Sequence, residues 1–142
     1  MLVLFVMLCS QGCFLGLSDR EREEMATFFN DDANYDVLTG KILGFRYIES
    51  IDSMLVEISV SSEAERYSLY EETNSCEFEI RFWTTKEYDL EEGDEITFMS
   101  SSMYFYDGYV YPIVQIKEND IEYLSFEEGK AALIYWVKYI AT

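Results

Sequence analysis

The side chains of this chain that can take part in the widest range of reactions are its three cysteines, Cys9, Cys13 and Cys76. A thiolate can serve as a nucleophile or bind a metal, but most catalytic centres of this kind also use an imidazole. The sequence contains no histidine, which excludes Ser-His-Asp and Cys-His centres and every histidine-containing zinc site. We therefore expect no catalytic residues, no metal and no cofactor. We interpret Cys76, which precedes an alternating apolar run, as a small hydrophobe at the start of a strand.

Carboxylates are the second group of side chains that could do chemistry. Six of them crowd one segment, where closely spaced oxygens could bind Ca²⁺. Their spacing differs from that of the twelve-residue calcium loop, and nothing selects from them the pair that glycoside hydrolysis needs. We interpret the segment as a solvated acidic loop. Its carboxylates are those of Glu87, Asp89, Glu91, Glu92, Asp94 and Glu95.

Acidic residues dominate the charged composition, with 28 Asp and Glu against 10 Lys and Arg, a formal net charge of −18. Binding to nucleic acid needs clustered basic residues that release counterions, so nucleic acid is not an expected partner. The charge has two interpretations. It keeps the protein soluble and away from anionic surfaces, or it marks an acidic inhibitor, immunity or nucleic-acid-mimic protein that binds a basic protein with electrostatic steering.

A tyrosine-rich stretch, Tyr104–Tyr111, flanks the dipeptide Asp107-Gly108, which is a strong signal for a two-residue hairpin turn. Its rings have two interpretations. They line a core and pair across the hairpin, or they form an exposed aromatic patch that binds a protein partner or a glycan.

The first 17 residues carry no ionisable side chain, and their apolar run Leu2–Cys9 is unbroken. Eight apolar residues are too few to span a bilayer, which needs roughly 20, but they suit the core of a secretory signal. The run leads into Ser10-Gln11-Gly12-Cys13, which resembles the lipobox of bacterial lipoproteins. That resemblance implies a diacylated Cys13 at the mature N-terminus. The alternatives are a plain cleaved signal, a retained anchor, or a buried apolar element.

Two helices are predicted, one on each side of a β-rich region. Ser18 and Glu21 have the spacing of a capping box, which predicts a helix that ends near residues 30–32. Ser125 is expected to cap a C-terminal helix over residues 126–140, whose apolar residues recur at helical spacing. A strand over residues 132–139 is the alternative, because the segment is rich in strand-forming residues.

Between Tyr35 and residue 118 the apolar period is two, which predicts five strands. Gly40 and Gly44 interrupt the first strand and indicate a bulge or bend. In the third strand, Glu77, Glu79 and Arg81 share one face, which we expect water to cover. A long polar excursion, residues 62–75, precedes that strand. The predicted strands cover residues 37–49, 54–61, 76–85, 96–100 and 109–116.

The fourth strand follows Leu90-x-x-Gly93-Asp94, a turn that precedes alternating apolar residues. A long first strand bent by glycine, followed by this turn, resembles the oligonucleotide/oligosaccharide-binding (OB) barrel, a small five-stranded Greek-key fold. The resemblance covers residues 35–118, with another small β-barrel or sandwich, or a mixed α+β fold, as the alternatives. OB domains bind through strands two and three and nearby loops. The resemblance therefore implies a candidate binding surface of Arg81, Trp83, Tyr104, Tyr106 and Tyr109.

The sequence thus predicts a mostly β protein with a signal or lipobox at residues 1–17, an N-terminal helix and linker at 18–34, an OB-like barrel at 35–118, and a C-terminal helix packed on the barrel at 119–142. The expected function is that of a non-enzymatic lipoprotein, anchored to a membrane of the bacterial cell envelope through its N-terminal lipid. It would bind a protein partner through an aromatic barrel face. The acidic inhibitor, immunity or nucleic-acid-mimic protein is the competing hypothesis.

Overall fold

The computed structural model describes residues 18–83, 88–103 and 110–140, with Ile51 described by its backbone alone. The fold is mostly β, with one helix before the strands and one after them. Short 3₁₀ turns occupy Asp32–Asn34 and Glu49–Ile51. The longer elements are α1 (Asp19–Asn30), β1 (Asp36–Ile48), β2 (Ser53–Val60), β3 (Ser75–Arg81), β4 (Glu95–Ser100), β5 (Tyr111–Glu118), β6 (Ile121–Leu124), α2 (Phe126–Tyr135) and a π-helical turn (Trp136–Ile140).

Five of the strands close into a barrel. Neighbouring strands follow the order β3-β2-β1-β4-β5, and a short parallel pairing of β3 with β5 joins the two ends. In that pairing Phe78 lies opposite Tyr111 and Glu79 opposite Pro112. The closed five-stranded barrel between two helices confirms the predicted fold class and is compatible with an OB-like fold.

β1 is the strand that connects the two halves of the barrel. It pairs with β4 over Asp36–Lys41 and with β2 over Gly40–Ile48, and a bulge lies between Ile42 and Gly44. The turn before β4 is fastened at this bulge. The Gly93 amide donates to the Ile42 carbonyl at 2.8 Å, and the Ile42 amide donates to the Asp94 carbonyl at 2.9 Å. Gly93 has a φ of +94°, which glycine tolerates best. The bulge predicted in the first strand and the turn predicted before the fourth strand are therefore hydrogen-bonded to each other at Ile42.

The interior of the barrel is filled by side chains from alternate positions of its strands. Edge-to-face ring contacts tie the strands together, for example Phe78 to Phe98 with centroids 4.9 Å apart. The polar excursion contributes Tyr67, whose ring lies 4.7 Å from that of Tyr111. Cys76 lies in this interior, as the second residue of β3. Among the fully buried members are Leu38, Ile42, Ile58, Phe78, Ile80, Phe98, Tyr111 and Ile116.

The two helices pack together over the outer face of β5 and form a second core. The predicted capping box begins α1, with Ser18 accepting from the Glu21 amide while the Glu21 carboxylate accepts from the Ser18 amide. Ser125 caps α2 as predicted. None of the helices in the described residues combines the length and apolarity needed to cross a membrane. The buried residues of this core are Met25, Ala26, Phe29, Tyr35, Met103, Val114, Leu133, Trp136 and Val137.

Three details of the sequence-based prediction need correction. β3 ends at Arg81 rather than near residue 85, because Phe82 has a left-handed φ of 56° that ends the extended backbone. β6 was not predicted; Asn119, with a φ of 56°, turns the chain so that β6 pairs with β5. The strand alternative for residues 132–139 is wrong, because this segment is helical and packs through Leu133 and Val137.

Candidate functional site

The residues chosen from the sequence divide into two groups. Cys13, Tyr104, Tyr106 and Tyr109 lie outside the described residues, so their predicted roles stay predictions. Arg81 and Trp83 are described, and although only one residue separates them, their surroundings differ completely.

Arg81 lies at a buried junction between β3 and the C-terminal helical segment. Its Nη2 is 2.7 Å from the Glu79 Oε1, and the two side chains are 6% and 2% exposed. The guanidinium carbon lies 3.6 Å from the centre of the Trp136 ring. The Ser53 hydroxyl donates to the same Glu79 oxygen at 3.2 Å. The charge pair is thus enclosed inside the protein, where it connects the barrel to the segment that follows α2.

The expectation that water covers this face of β3 is wrong at Glu79 and Arg81. Ser53 and Leu55, on the neighbouring strand β2, are buried with them. This is the β2–β3 surface that the OB resemblance associates with ligands, and Trp136 stacks against it. Within the described residues, Arg81 is therefore part of the packing between β3 and Trp136. Glu77, two residues before Glu79, pairs instead with the exposed Arg46.

Trp83 belongs to a line of four half-buried rings, which we call the aromatic strip. Trp83 is 6.2 Å from Phe45 and 4.7 Å from Tyr88 between ring centroids. Tyr88 is in turn 6.5 Å from Tyr123. All four rings pack against the barrel core with one side and are only partly buried. The strip consists of Phe45, Trp83, Tyr88 and Tyr123.

Four separate segments supply these rings. Phe45 follows the β1 bulge, Trp83 follows the left-handed Phe82 that ends β3, Tyr88 precedes the glycine turn, and Tyr123 lies in β6. The sequence analysis identified only Trp83. The other three have no local signal, because their proximity depends on barrel closure and on a strand that the periodicity did not predict.

Carboxylates flank the strip. The Tyr123 hydroxyl donates to the Glu118 Oε1 at 3.3 Å. Burial raises the pKa of Tyr88 to about 12, and the charge of Glu128 adds to the effect. Partial burial raises the pKa of Glu118, as do a hydrogen bond with Asp94 and the negative charges of Asp94 and Asp89. The site therefore combines aromatic faces with negative charge.

The raised pKa of Glu118 gives a pH prediction. A carboxyl whose pKa is higher in the folded than in the unfolded state lowers stability as pH rises above its ordinary value, because the folded state then resists ionisation. We expect Glu118→Gln to raise the midpoint of thermal unfolding at pH 7. The gain should shrink as the pH falls towards the ordinary value of 4.5 and be absent below it.

Glu72→Gln is the control, since it removes the same charge from an exposed loop. Thermal unfolding followed by circular dichroism from pH 3 to 8 compares the two variants. Equal gains at pH 7 would attribute the effect to net charge alone and contradict the local interaction.

Cys76 illustrates how burial suppresses thiol chemistry. Burial raises the pKa of its thiol to about 12, and the charges of Glu77 and Glu57 add to the rise. The thiol is therefore protonated at neutral pH. Since the thiolate is the reactive form, this environment suits the packing role predicted from the sequence.

A polar groove of about 430 Å³ lies outside the barrel, across β1, β2 and β4. Three of its hydroxyl groups are engaged within the protein. The Thr39 and Ser61 hydroxyls are 3.1 Å apart, and the Ser59 hydroxyl donates to the Thr73 carbonyl at 2.7 Å. The aromatic strip is the better candidate for recognition, since its rings are partly exposed and aromatic side chains offer large contact area.

Comparisons with protein-family models, with curated protein sequences and with solved structures find no match for this chain. Within residues 18–83, 88–103 and 110–140, no group of three or more acidic or cysteine side chains is arranged to hold a metal ion.

Proposed function

We propose that this protein is a non-enzymatic binding module, anchored to a bacterial envelope membrane through a lipid on Cys13, that captures a protein partner with the aromatic strip. The observation that carries the binding proposal is the strip itself. Four rings from four segments make successive contacts, half-buried on the barrel, with Glu118 hydrogen-bonded to the last of them. Aromatic residues of this kind are enriched where proteins bind one another.

The chemistry of the strip favours a partner segment that carries Arg or Lys beside apolar side chains. The face of an aromatic ring attracts a cation, and tryptophan does so best. Carboxylates near Tyr88 and Tyr123 add electrostatic attraction of the same sign. The net charge of −18 speeds the approach of a basic partner.

Trp83→Ala tests the strip directly. The wild-type chain is titrated with a short peptide that contains arginine and leucine, and binding is followed by calorimetry. Because Trp83 lies in the middle of the strip, we expect the variant to bind at least about tenfold more weakly, a typical loss for a central aromatic contact.

Tyr70→Ala is the control, since it also removes an aromatic ring, one that is 66% exposed and lies in the connection between β2 and β3. Its affinity for the peptide should equal that of the wild type. Equal losses in the two variants, or unchanged binding in Trp83→Ala, would reject the strip as the contact surface.

The acidic inhibitor remains the competing function, and the observation in its favour is the net charge of −18. A salt titration separates the two. Binding by charge alone weakens steeply between 0.05 and about 0.5 M salt, because the Debye length falls to a few ångströms. Binding through the rings weakens only mildly over the same range. A loss of affinity of tenfold or more on adding salt, equal in the wild type and in Trp83→Ala, would favour the inhibitor.

The anchor is tested by labelling with a fatty acid in a bacterial host, with wild type and Cys13→Ala compared. The Ser10-Gln11-Gly12-Cys13 sequence motivates the expectation of label in the wild type and none in the variant. Absence of label from both would reject the anchor, and a cytoplasmic inhibitor would then become the better hypothesis.

A further inference from the structure

The last residue of α2 and the π-helical turn that follows it expose large side chains to solvent. Tyr135 and Tyr139 are 53% and 69% exposed, with ring centroids 5.0 Å apart, and Ile140 is 42% exposed. The opposite side of the same turn is buried, through Trp136 and Val137. We call the three exposed residues and the exposed Lys138 between them the C-terminal patch.

The C-terminal patch lies beside the start of α1. The Arg22 Nη1 donates to the Val137 carbonyl at 2.9 Å, which fastens the first turns of α1 to the π-helical turn. Ser18 precedes Arg22 by four residues, or about 6 Å of helix. The 17 residues before Ser18 contain no ionisable side chain. The uncharged part of the chain therefore joins the described fold next to the patch.

We propose that the C-terminal patch contacts the headgroup and acyl boundary of the bilayer that holds the anchor. This inference rests on the proposed function, because the lipid on Cys13 is what keeps the patch near a membrane. Five residues separate Cys13 from Asp19, at most about 18 Å of extended chain. Tyrosine suits this boundary, since its apolar ring and polar hydroxyl match the two sides of the interface.

The charge of the chain selects the kind of lipid. Lys138 borders a groove that it shares with Glu23 and Thr27 of α1, so the exposed rings rather than this ammonium carry the proposed contact. The rest of the chain is strongly acidic, so a bilayer of zwitterionic lipid should bind the patch better than an anionic one.

Site-directed spin labelling measures the contact. The full chain is produced in a bacterial host with Cys9→Ser, labelled at Lys138→Cys, and added to phosphatidylcholine vesicles. Acylation would protect the Cys13 thiol from the label, and Cys13→Ser removes that thiol if the cells attach no lipid. Buried Cys76 has a thiol that is protonated at neutral pH and reacts poorly. For a label at position 138, the ratio of collisions with dissolved oxygen to collisions with a polar nickel complex should rise at least about twofold when vesicles are added. The reason is that a residue at the boundary lies about 5–10 Å inside the interface, where oxygen is enriched and the complex is excluded. A label at Tyr70→Cys should show no such change.

Tyr135→Ser with Tyr139→Ser, added to the Lys138→Cys chain, supplies the test of mechanism. We expect the double change to remove the protection at position 138 while unfolding temperature and fatty-acid label stay at their starting values. Equal accessibility at positions 138 and 70 in the acylated chain would overturn the patch and leave the anchor intact. Protection at 138 in a chain that cells do not acylate would retain the patch and reject the anchor.

Discussion

Arg81→Met is expected to lower the free energy of unfolding by about 3–5 kcal/mol, the usual effect of removing one partner from a buried ion pair. The Glu79 carboxylate is 2% exposed and lies 2.7 Å from the Arg81 guanidinium, so the variant leaves a negative charge inside the protein. The Ser53 hydroxyl is a neutral donor to this carboxylate and does not replace the lost positive charge. The stack on Trp136 is lost as well, which weakens the attachment of the C-terminal turn. Urea unfolding followed by circular dichroism measures the change.

Arg46→Met is the matched control. Arg46 lies on β1 and contacts both carboxylate oxygens of Glu77 on β3, at 3.1 and 3.0 Å, but the two side chains are 61% and 33% exposed. Exposed pairs contribute about 0–1 kcal/mol, so this variant should be nearly as stable as the wild type. Losses of equal size in the two variants would show that burial does not set the strength of the Arg81 interaction.

The double variant Glu79→Leu with Arg81→Met distinguishes a stabilising pair from one that is harmful only when broken. Apolar replacement of a buried ion pair is often neutral or stabilising, because it removes two desolvated charges together. We expect the double variant to be more stable than Arg81→Met alone. A double variant that loses the sum of the two single losses would indicate that the residues act independently.

The sequence predicted features that depend on neighbouring residues along the chain. The Ser18–Glu21 capping box and the turn at Gly93 each bring together groups within a few positions, so their geometry follows from residue type and spacing. The cover over the buried Glu79–Arg81 pair comes instead from Trp136, which stacks on Arg81 from a distant part of the sequence. Alternation along β3 shows which residues share a face, but it cannot show what covers that face.

The same reasoning explains why the candidate site was only partly predicted. Trp83 stood out by residue type, whereas Phe45 lies inside the predicted first strand and Tyr123 lies in a strand that was not predicted. Asn119 adopts a left-handed φ of 56° and turns the chain back into β6, which brings Tyr123 to the strip. A two-residue turn with asparagine in this conformation is a hairpin signal, so the missing element could have been found by that criterion.

The second large effect is expected for Gly129→Ala, at about 3 kcal/mol of lost stability. Gly129 lies in the first turns of α2, where α2 rests on β5, and its ideal Cβ would lie 2.0 Å from the Val114 carbonyl oxygen. Helix propensity alone predicts the opposite, a gain of about 1 kcal/mol for alanine over glycine. Packing decides the sign, because the obstacle is backbone and α2 must move away from the barrel to relieve it.

Gly44→Ala provides the control for adding a methyl group to a glycine in this protein. The nearest atom to its ideal Cβ is the Glu92 Oε1 at 3.8 Å, an ordinary contact with a flexible side chain. Its stability should stay within about 0.5 kcal/mol of wild type. Hydrogen exchange shows which part of the Gly129→Ala chain is destabilised. We expect the amides of α2 and of the π-helical turn to lose more protection than those of β1 and β2. A Gly129→Ala chain as stable as Gly44→Ala would contradict the prediction. It would mean that α2 lies far enough from β5 to admit a methyl group at position 129.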